Sequence, residues 1–188
     1  MSTLDTECRR EYYRIDDQIA LQIRLYDSND EEDSLIFNAL SELHQLELDA
    51  QPLLRSVSEN NRSLEQYFKV INKRIDLLGQ MFVHNLLNEL GPPRTVSLSE
   101  CSLAFTGEEQ YPVGSHLSLK IILLPYGHAL QVAAQVTELR ATEQGMQTVC
   151  VFENLSDAQR QILARHILHQ QALQRRLALA STEQEAQP

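Results

Sequence analysis

Residues 33–90 read DSLIFNALSELHQLELDAQPLLRSVSENNRSLEQYFKVINKRIDLLGQMFVHNLLNEL, and how this stretch is read decides the fold. Apolar residues recur at Ile36, Ala39, Leu43, Leu46, Ala50, Leu53 and Val57, in alternating steps of three and four. Leu64, Phe68, Ile71, Ile75, Leu78 and Phe82 repeat the spacing in a second run. Such a repeat lays a seam along one side of a helix, which a partner helix covers. The spacing predicts one helix over 33–50, kinked at Pro52 or restarted there as a short continuation to Val57. Residues 58–63 (SENNRS) form the reversal, with Asn60 or Asn61 as N-cap of a second helix over 62–90. Gly91 followed by Pro92 and Pro93 ends that helix, the glycine suiting a left-handed C′ position and the prolines forbidding continuation.

Each helix is then about 25–45 Å long at ~1.5 Å per residue. The second carries a further stripe at Tyr67, Val70, Leu77 and Met81, more apolar surface than one partner helix covers. Two outcomes follow from that excess. Either the hairpin joins copies of the chain, or it folds back on its own domain.

Outside this stretch the hydrophobic period is two. Ile19, Leu21, Ile23 and Leu25 alternate with polar residues over 18–26, as in a half-buried strand. After Pro93, short strands are predicted at 94–98, 102–105, 116–124, 130–136 and 146–152, separated by a Ser-Glu-Cys corner and turns at Pro125-Tyr126-Gly127 and 143–145. Regular short strands of this kind indicate an antiparallel barrel or sandwich. The strand at 18–26 has no partner before the helices, so it belongs to the later sheet, and the helices are an insertion. Ser156 and Gln159 form a capping box for a last helix, with Leu155 as staple and Ile162, Leu163, Ile167 and Leu168 as packing face to about Leu177. The expected division is a β-domain from 9–27 plus 94–177, a helical oligomerisation hairpin at 33–90, and flexible tails at 1–8 and 181–188.

The 188 residues carry a formal charge of −10, with 43% hydrophobic and 22% charged residues and no tryptophan. Such an acid excess argues against a broad DNA, RNA or anionic-membrane surface. No apolar run reaches the ~18 residues of a membrane span, and the polar start has no leader-like core. Cys8, Cys101 and Cys150 are odd in number and scattered, which predicts free thiols and a cytoplasmic setting. No paired carboxylates, nucleophile triad or phosphate loop stands out, so neither an enzyme nor a cofactor is expected. His166 and His169, three apart on a helix, have metal-bridging spacing, but with no cysteine or carboxylate ligand beside them they read as solvated helix.

One cationic group stands out against the acidic background: Arg9, Arg10 and Arg14 precede the first strand. Guanidinium groups bind phosphate in bidentate fashion and stack on bases. The competing reading is a solvated basic segment paired with Glu11, Asp16 and Asp17. Residues 96–105 read VSLSECSLAF. Together, Arg9-Arg10-x-x-x-Arg14 and this segment resemble the two motifs of the PilZ family of bacterial cyclic di-GMP receptors. The second motif is Asp/Asn-x-Ser-x-x-Gly, matched by Ser97, Ser99 and Ser102.

The resemblance spans about 9–27 and 94–175. It implies a six-stranded antiparallel β-barrel with a C-terminal helix; the long helical hairpin inserted after the first strand, read from the heptad spacing, departs from a minimal domain of the family. It also implies that the arginines clamp cyclic di-GMP phosphates and bases while Ser99 supports a base. Two departures weaken the site. Ser97 replaces the Asp/Asn that pairs with guanine, and Ser102 puts a Cβ and hydroxyl where glycine would allow close approach and positive φ. Losing a polar contact costs ~1–3 kcal/mol, about tenfold or more in affinity. The insertion resembles that of family members assembled into dimers or tetramers by heptad helices. The first reading is thus a non-catalytic, self-assembling signalling protein that answers to cyclic di-GMP and alters the docking of an unidentified protein partner. The alternative is a degenerate member that has lost the nucleotide and serves assembly alone.

Overall fold

The structure, a computed structural model, describes residues 13–26, 35–107, 109–143 and 145–185. Six strands form a closed antiparallel barrel: β1 (Ile15–Leu25), β2 (Arg94–Leu98), β3 (Ser102–Thr106), β4 (His116–Leu123), β5 (His128–Thr142) and β6 (Gly145–Glu153). Their order round the barrel is β1-β2-β3-β6-β5-β4. Between β1 and β2 come helices α1 (Leu35–Asn60) and α2 (Arg62–Leu90), and α3 (Asp157–Glu185) follows β6. The insertion expected from the orphan strand is therefore present, and β1 closes the barrel by pairing with both β2 and β4.

β2 and α2 have the expected bounds, while several other elements are longer than the sequence predicts. β1 begins at Ile15 because residues 15–19 pair with Leu98 back to Arg94. β5 runs on to Thr142 through a register shift between Val136 and Glu138, which bends the strand round the barrel. α1 passes through Pro52 as one helix rather than restarting there, so of the two expected outcomes the single longer helix is the one found, with the proline exposed. At the reversal Asn61 is the N-cap, its Oδ1 accepting from the Leu64 amide at 3.1 Å. Gly91 ends α2 with φ 84° and ψ −173°. Its φ is positive as expected, yet the ψ is extended, so the chain leaves straight into β2 instead of closing a left-handed cap.

Two apolar clusters hold the chain. The larger fills the barrel, with Ile19, Leu21, Leu98, Phe105, Leu119, Ile121 and Leu130 at its centre. Ile162, Leu163 and Ile167 of α3 join this cluster. The capping box forms as expected, Ser156 Oγ accepting from the Gln159 amide at 3.2 Å and Gln159 Oε1 from the Ser156 amide at 2.9 Å. Leu168, placed in the packing face by its spacing, is exposed, and the buried position belongs to His166. The second cluster lies on the outside of the barrel, where Phe37, Leu86 and Leu90 of the hairpin cover Ala20, Ile122 and Ala129. The hairpin is docked at its base by this small joint.

Gly127 packs closely against α2 at the joint. Its φ is +75°, and a Cβ there would lie 2.8 Å from Val83 Cγ1 on α2. Gly127→Ala is expected to lower the midpoint of urea unfolding by an amount equal to about 1–2 kcal/mol for the left-handed backbone, plus the clash. Adding Val83→Ala restores only the clash portion. An unchanged midpoint in Gly127→Ala would mean that the turn moves freely away from α2.

Candidate functional site

Of the residues expected to hold a nucleotide, Arg9 and Arg10 lie outside the described residues, while Arg14, Ser97, Ser99 and Ser102 converge. Arg14 stands one residue before β1, and antiparallel pairing of Ile15 with Leu98 brings its side chain to the β2–β3 corner. There its Nη1 donates to Ser102 Oγ at 2.9 Å, its Nε to Ser97 Oγ at 3.3 Å and its Nη2 to the Ser97 carbonyl at 3.2 Å. The two serines that depart from the family motif are thus the two that grip the arginine.

Ser99 organises the corner from beneath. It is fully buried. Its hydroxyl lies 2.7 Å from Ser102 Oγ and accepts from the Ser102 amide at 3.1 Å, while its own amide donates to the Ser102 carbonyl at 2.9 Å. Ser99 therefore ties the β2–β3 turn, and buried polar groups of this kind are costly unless paired in this way. Among the described non-glycine residues only Asn154 has a positive φ. Ser102 thus sits in ordinary strand backbone, and the loss of positive φ anticipated there does not matter; what a serine changes is the hydroxyl it offers to Arg14.

The cysteines divide. Cys150 is buried, its thiol donating to the Leu103 carbonyl at 3.3 Å, and burial pushes its pKa up to about 12, so it stays a thiol at neutral pH. Cys101 lies in the same corner as Ser99, its sulfur 3.7 Å from Ser99 Oγ; Cys8 lies outside the described residues.

His166 is not solvated as its sequence context suggests. Its side chain is buried, and its Nε2 lies 2.5 Å from Asp17 Oδ2, joining α3 to β1 across the barrel wall. Gln170 and Gln174 reinforce the attachment, donating to the Leu124 and Asp16 carbonyls at 3.1 and 3.0 Å. His169 instead meets the Tyr126 hydroxyl at 3.1 Å. Among the described residues no His, Cys, Asp or Glu group is arranged to hold a metal, and no helix is long and apolar enough to cross a membrane.

The six residues expected to mediate oligomerisation lie along α2. Ile71 is half-buried; Leu64, Phe68, Ile75, Leu78 and Phe82 are exposed, as are Tyr67, Val70, Leu77 and Met81 of the second stripe. The hairpin packs on its own barrel only at its base, leaving most of both stripes uncovered within one chain. Sequence patterning missed His44 and His128, whose rings meet at 3.8 Å between α1 and β5. The available signal was a doubled apolar pattern in the strands, Ala20 beside Leu21 and Ile122 beside Ile121, which marks an outer face covered by something.

Among solved structures, the chain is similar to a Xanthomonas campestris protein described as a tetrameric PilZ domain self-assembled through a helical bundle, at 16% identity and TM-score 0.58, covering 90% of this chain and 94% of that one. An inhibitor of motility from Bacillus subtilis aligns over 43% of each chain at 16% identity, with TM-score 0.36. No curated protein matches. The PilZ domain family model matches residues 72–169, more than half of the chain, reaching from the second hairpin helix to α3. The chain belongs to the PilZ domain family.

Proposed function

We propose that this PilZ protein is a non-catalytic assembly module. Its helical hairpin joins copies into a dimer or tetramer, and its family nucleotide site is held closed by its own side chains. The division of labour follows the chain: residues 15–25 and 94–177 build the barrel, and the inserted helices carry the association. The observation that supports assembly is the double apolar stripe left open along α2, since a contiguous patch of that size marks an interaction surface. The similar fold of the Xanthomonas protein, which is itself described as tetrameric through a helical bundle, agrees with this reading.

Closure of the site rests on the Arg14 clamp. Three hydrogen bonds to Ser97 and Ser102 must be given up before Arg14 can turn to a phosphate, and each is worth about 0.5–1.5 kcal/mol net, more when charged. With Asp/Asn and Gly at those positions, as the family motif has it, the hydroxyl that Ser102 offers to Arg14 is gone and position 97 carries the carboxylate or amide that pairs with guanine. One observation favours the second reading, a cyclic di-GMP receptor with Arg9, Arg10 and Arg14 as phosphate clamp. Arg14 is exposed, so a bound phosphate, a stronger acceptor than a hydroxyl, has access to it.

Calorimetry with cyclic di-GMP separates the two. Wild-type protein is expected to give no saturable heat up to ~100 µM ligand, whereas Ser97→Asp with Ser102→Gly gains binding by at least tenfold, two lost contacts being restored. Saturable wild-type binding, removed by Arg14→Ala, would reverse the conclusion in favour of the receptor.

A further inference from the structure

The joint between hairpin and barrel contains more titratable groups than a static support needs. α1 leaves the apolar joint after Leu40, and one turn further on, on the same face, His44 meets His128, the first residue of β5, with ring centroids 3.8 Å apart. Tyr126 also stacks on His128, centroids 5.8 Å apart and planes 20° from parallel, and places its hydroxyl on His169 of α3. These rings border a cleft of about 840 Å³ between the hairpin, the β4–β5 turn and α3. Among the described residues His128 Nδ1 is buried without a hydrogen-bond partner. Two imidazoles in close contact with their planes tilted by 43°, one of them with a buried nitrogen unpaired among the described residues, form an arrangement that tolerates neutral rings and resists charged ones.

We propose that the His44–His128 contact is a proton-operated latch: neutral rings hold the hairpin down on the β4–β5 turn, and mild acid releases it from the barrel. The charged groups around it set the direction. On α1, Glu47 lies 3.4 Å from His44 Nδ1 and favours the cation. α2 contributes Asp76 to the cleft. α3 contributes Arg165, which disfavours a charge on His44, together with His166 and His169. β1 contributes Asp17, whose carboxylate is engaged by His166. Burial outweighs Glu47, so the His44 pKa lies below its ordinary value. Burial, with the charges His44 and His166 would carry, pushes His128 down to about 3.

The sign follows from linkage. Both groups are depressed when docked and return to about 6.5 when the hairpin lifts away, so docking is complete above that value and weakens as pH falls from about 6.5 towards 3. For His128 alone, the open fraction rises about tenfold between pH 7.5 and 5.5, and His44 acts in the same direction.

Amide hydrogen exchange on the full chain tests this, with rates corrected for the intrinsic pH dependence. Protection over residues 40–50 is expected to fall at least tenfold between pH 7.5 and 5.5 while amides of β4 and β6 hold. In His44→Gln/His128→Gln the fall disappears. His44→Phe/His128→Phe keeps the ring contact and gives the same flat profile should the glutamine variant fold poorly. Wild-type protection that does not change with pH would overturn the proposal. So would a double variant that retains the fall, particularly if His166→Gln then loses it, because the sensitivity would belong to the Asp17 pair. Particle mass by light scattering at both pH values reads assembly separately, so a failed latch and a failed assembly are told apart.

Discussion

Leu78→Asp with Phe82→Asp is expected to reduce the particle to a single 21.5 kDa chain at micromolar concentration, as read by light scattering, with the barrel still folded. Leu78 is 58% exposed and Phe82 54% exposed in one chain, so neither is needed for the internal core. Each side chain contributes about 1.5–3 kcal/mol when fully buried, and in a symmetric interface each substitution counts once per copy. An aspartate on the same surface reverses the sign, because its charge must be dehydrated without a partner. Four such losses in a dimer exceed what separates a micromolar complex from a millimolar one, about 4 kcal/mol. A wild-type protein that is already a monomer at micromolar concentration would end the assembly reading. A double variant that keeps its mass would move the interface to another face.

Phe37→Ala is expected to undock the hairpin without unfolding the barrel. Phe37 is 2% exposed, sits among Leu86, Leu90, Ala20, Ile122 and Ala129, and carries the Lys120 ammonium 5.5 Å from its ring centroid. Truncating a buried phenylalanine costs about 3–5 kcal/mol, and the cation–π contact adds about 0.5–1 kcal/mol at a partly exposed site. The joint is small, whereas the barrel has its own separate cluster. The loss therefore falls on the docking equilibrium, and exchange protection of α1 near its start should collapse while β4 and β6 remain protected. Equal loss of protection in both would show that hairpin and barrel fold as one cooperative unit.

The barrel was legible because alternation with turn residues is a local signal, and the helix ends were legible because caps are chemical: Asn61, Ser156 and Gln159 all act as their patterns require. The buried face of α1 was not. Steps of three and four run through Ile36, Leu46 and Leu53, which are exposed, while Phe37, one position off that seam, is buried. A helix apolar on two sides offers two faces, and only the barrel wall it meets chooses between them. At the site, Arg14, Ser97, Ser99 and Ser102 were found by motif, but strand register adds what the motif could not say, that Ser97 and Ser102 both accept from Arg14. The His44–His128 contact joins residues far apart in sequence, and no periodicity could announce it.

The way the insertion is tethered also bears on how the chain finds its fold. Pairing of Ile19 with Arg94 closes a loop of about seventy-five residues if the intervening chain is open. With α1 and α2 folded, their outer ends meet at Phe37, Leu86 and Leu90, and the same closure spans only the short segments on either side. Loop-closure entropy falls by about 0.6 kcal/mol for each halving of length, so an early hairpin, shortening the open chain about fourfold, removes ~1 kcal/mol from the search. The first strand, stranded by the insertion in sequence, is thereby returned to its neighbour as if it were local.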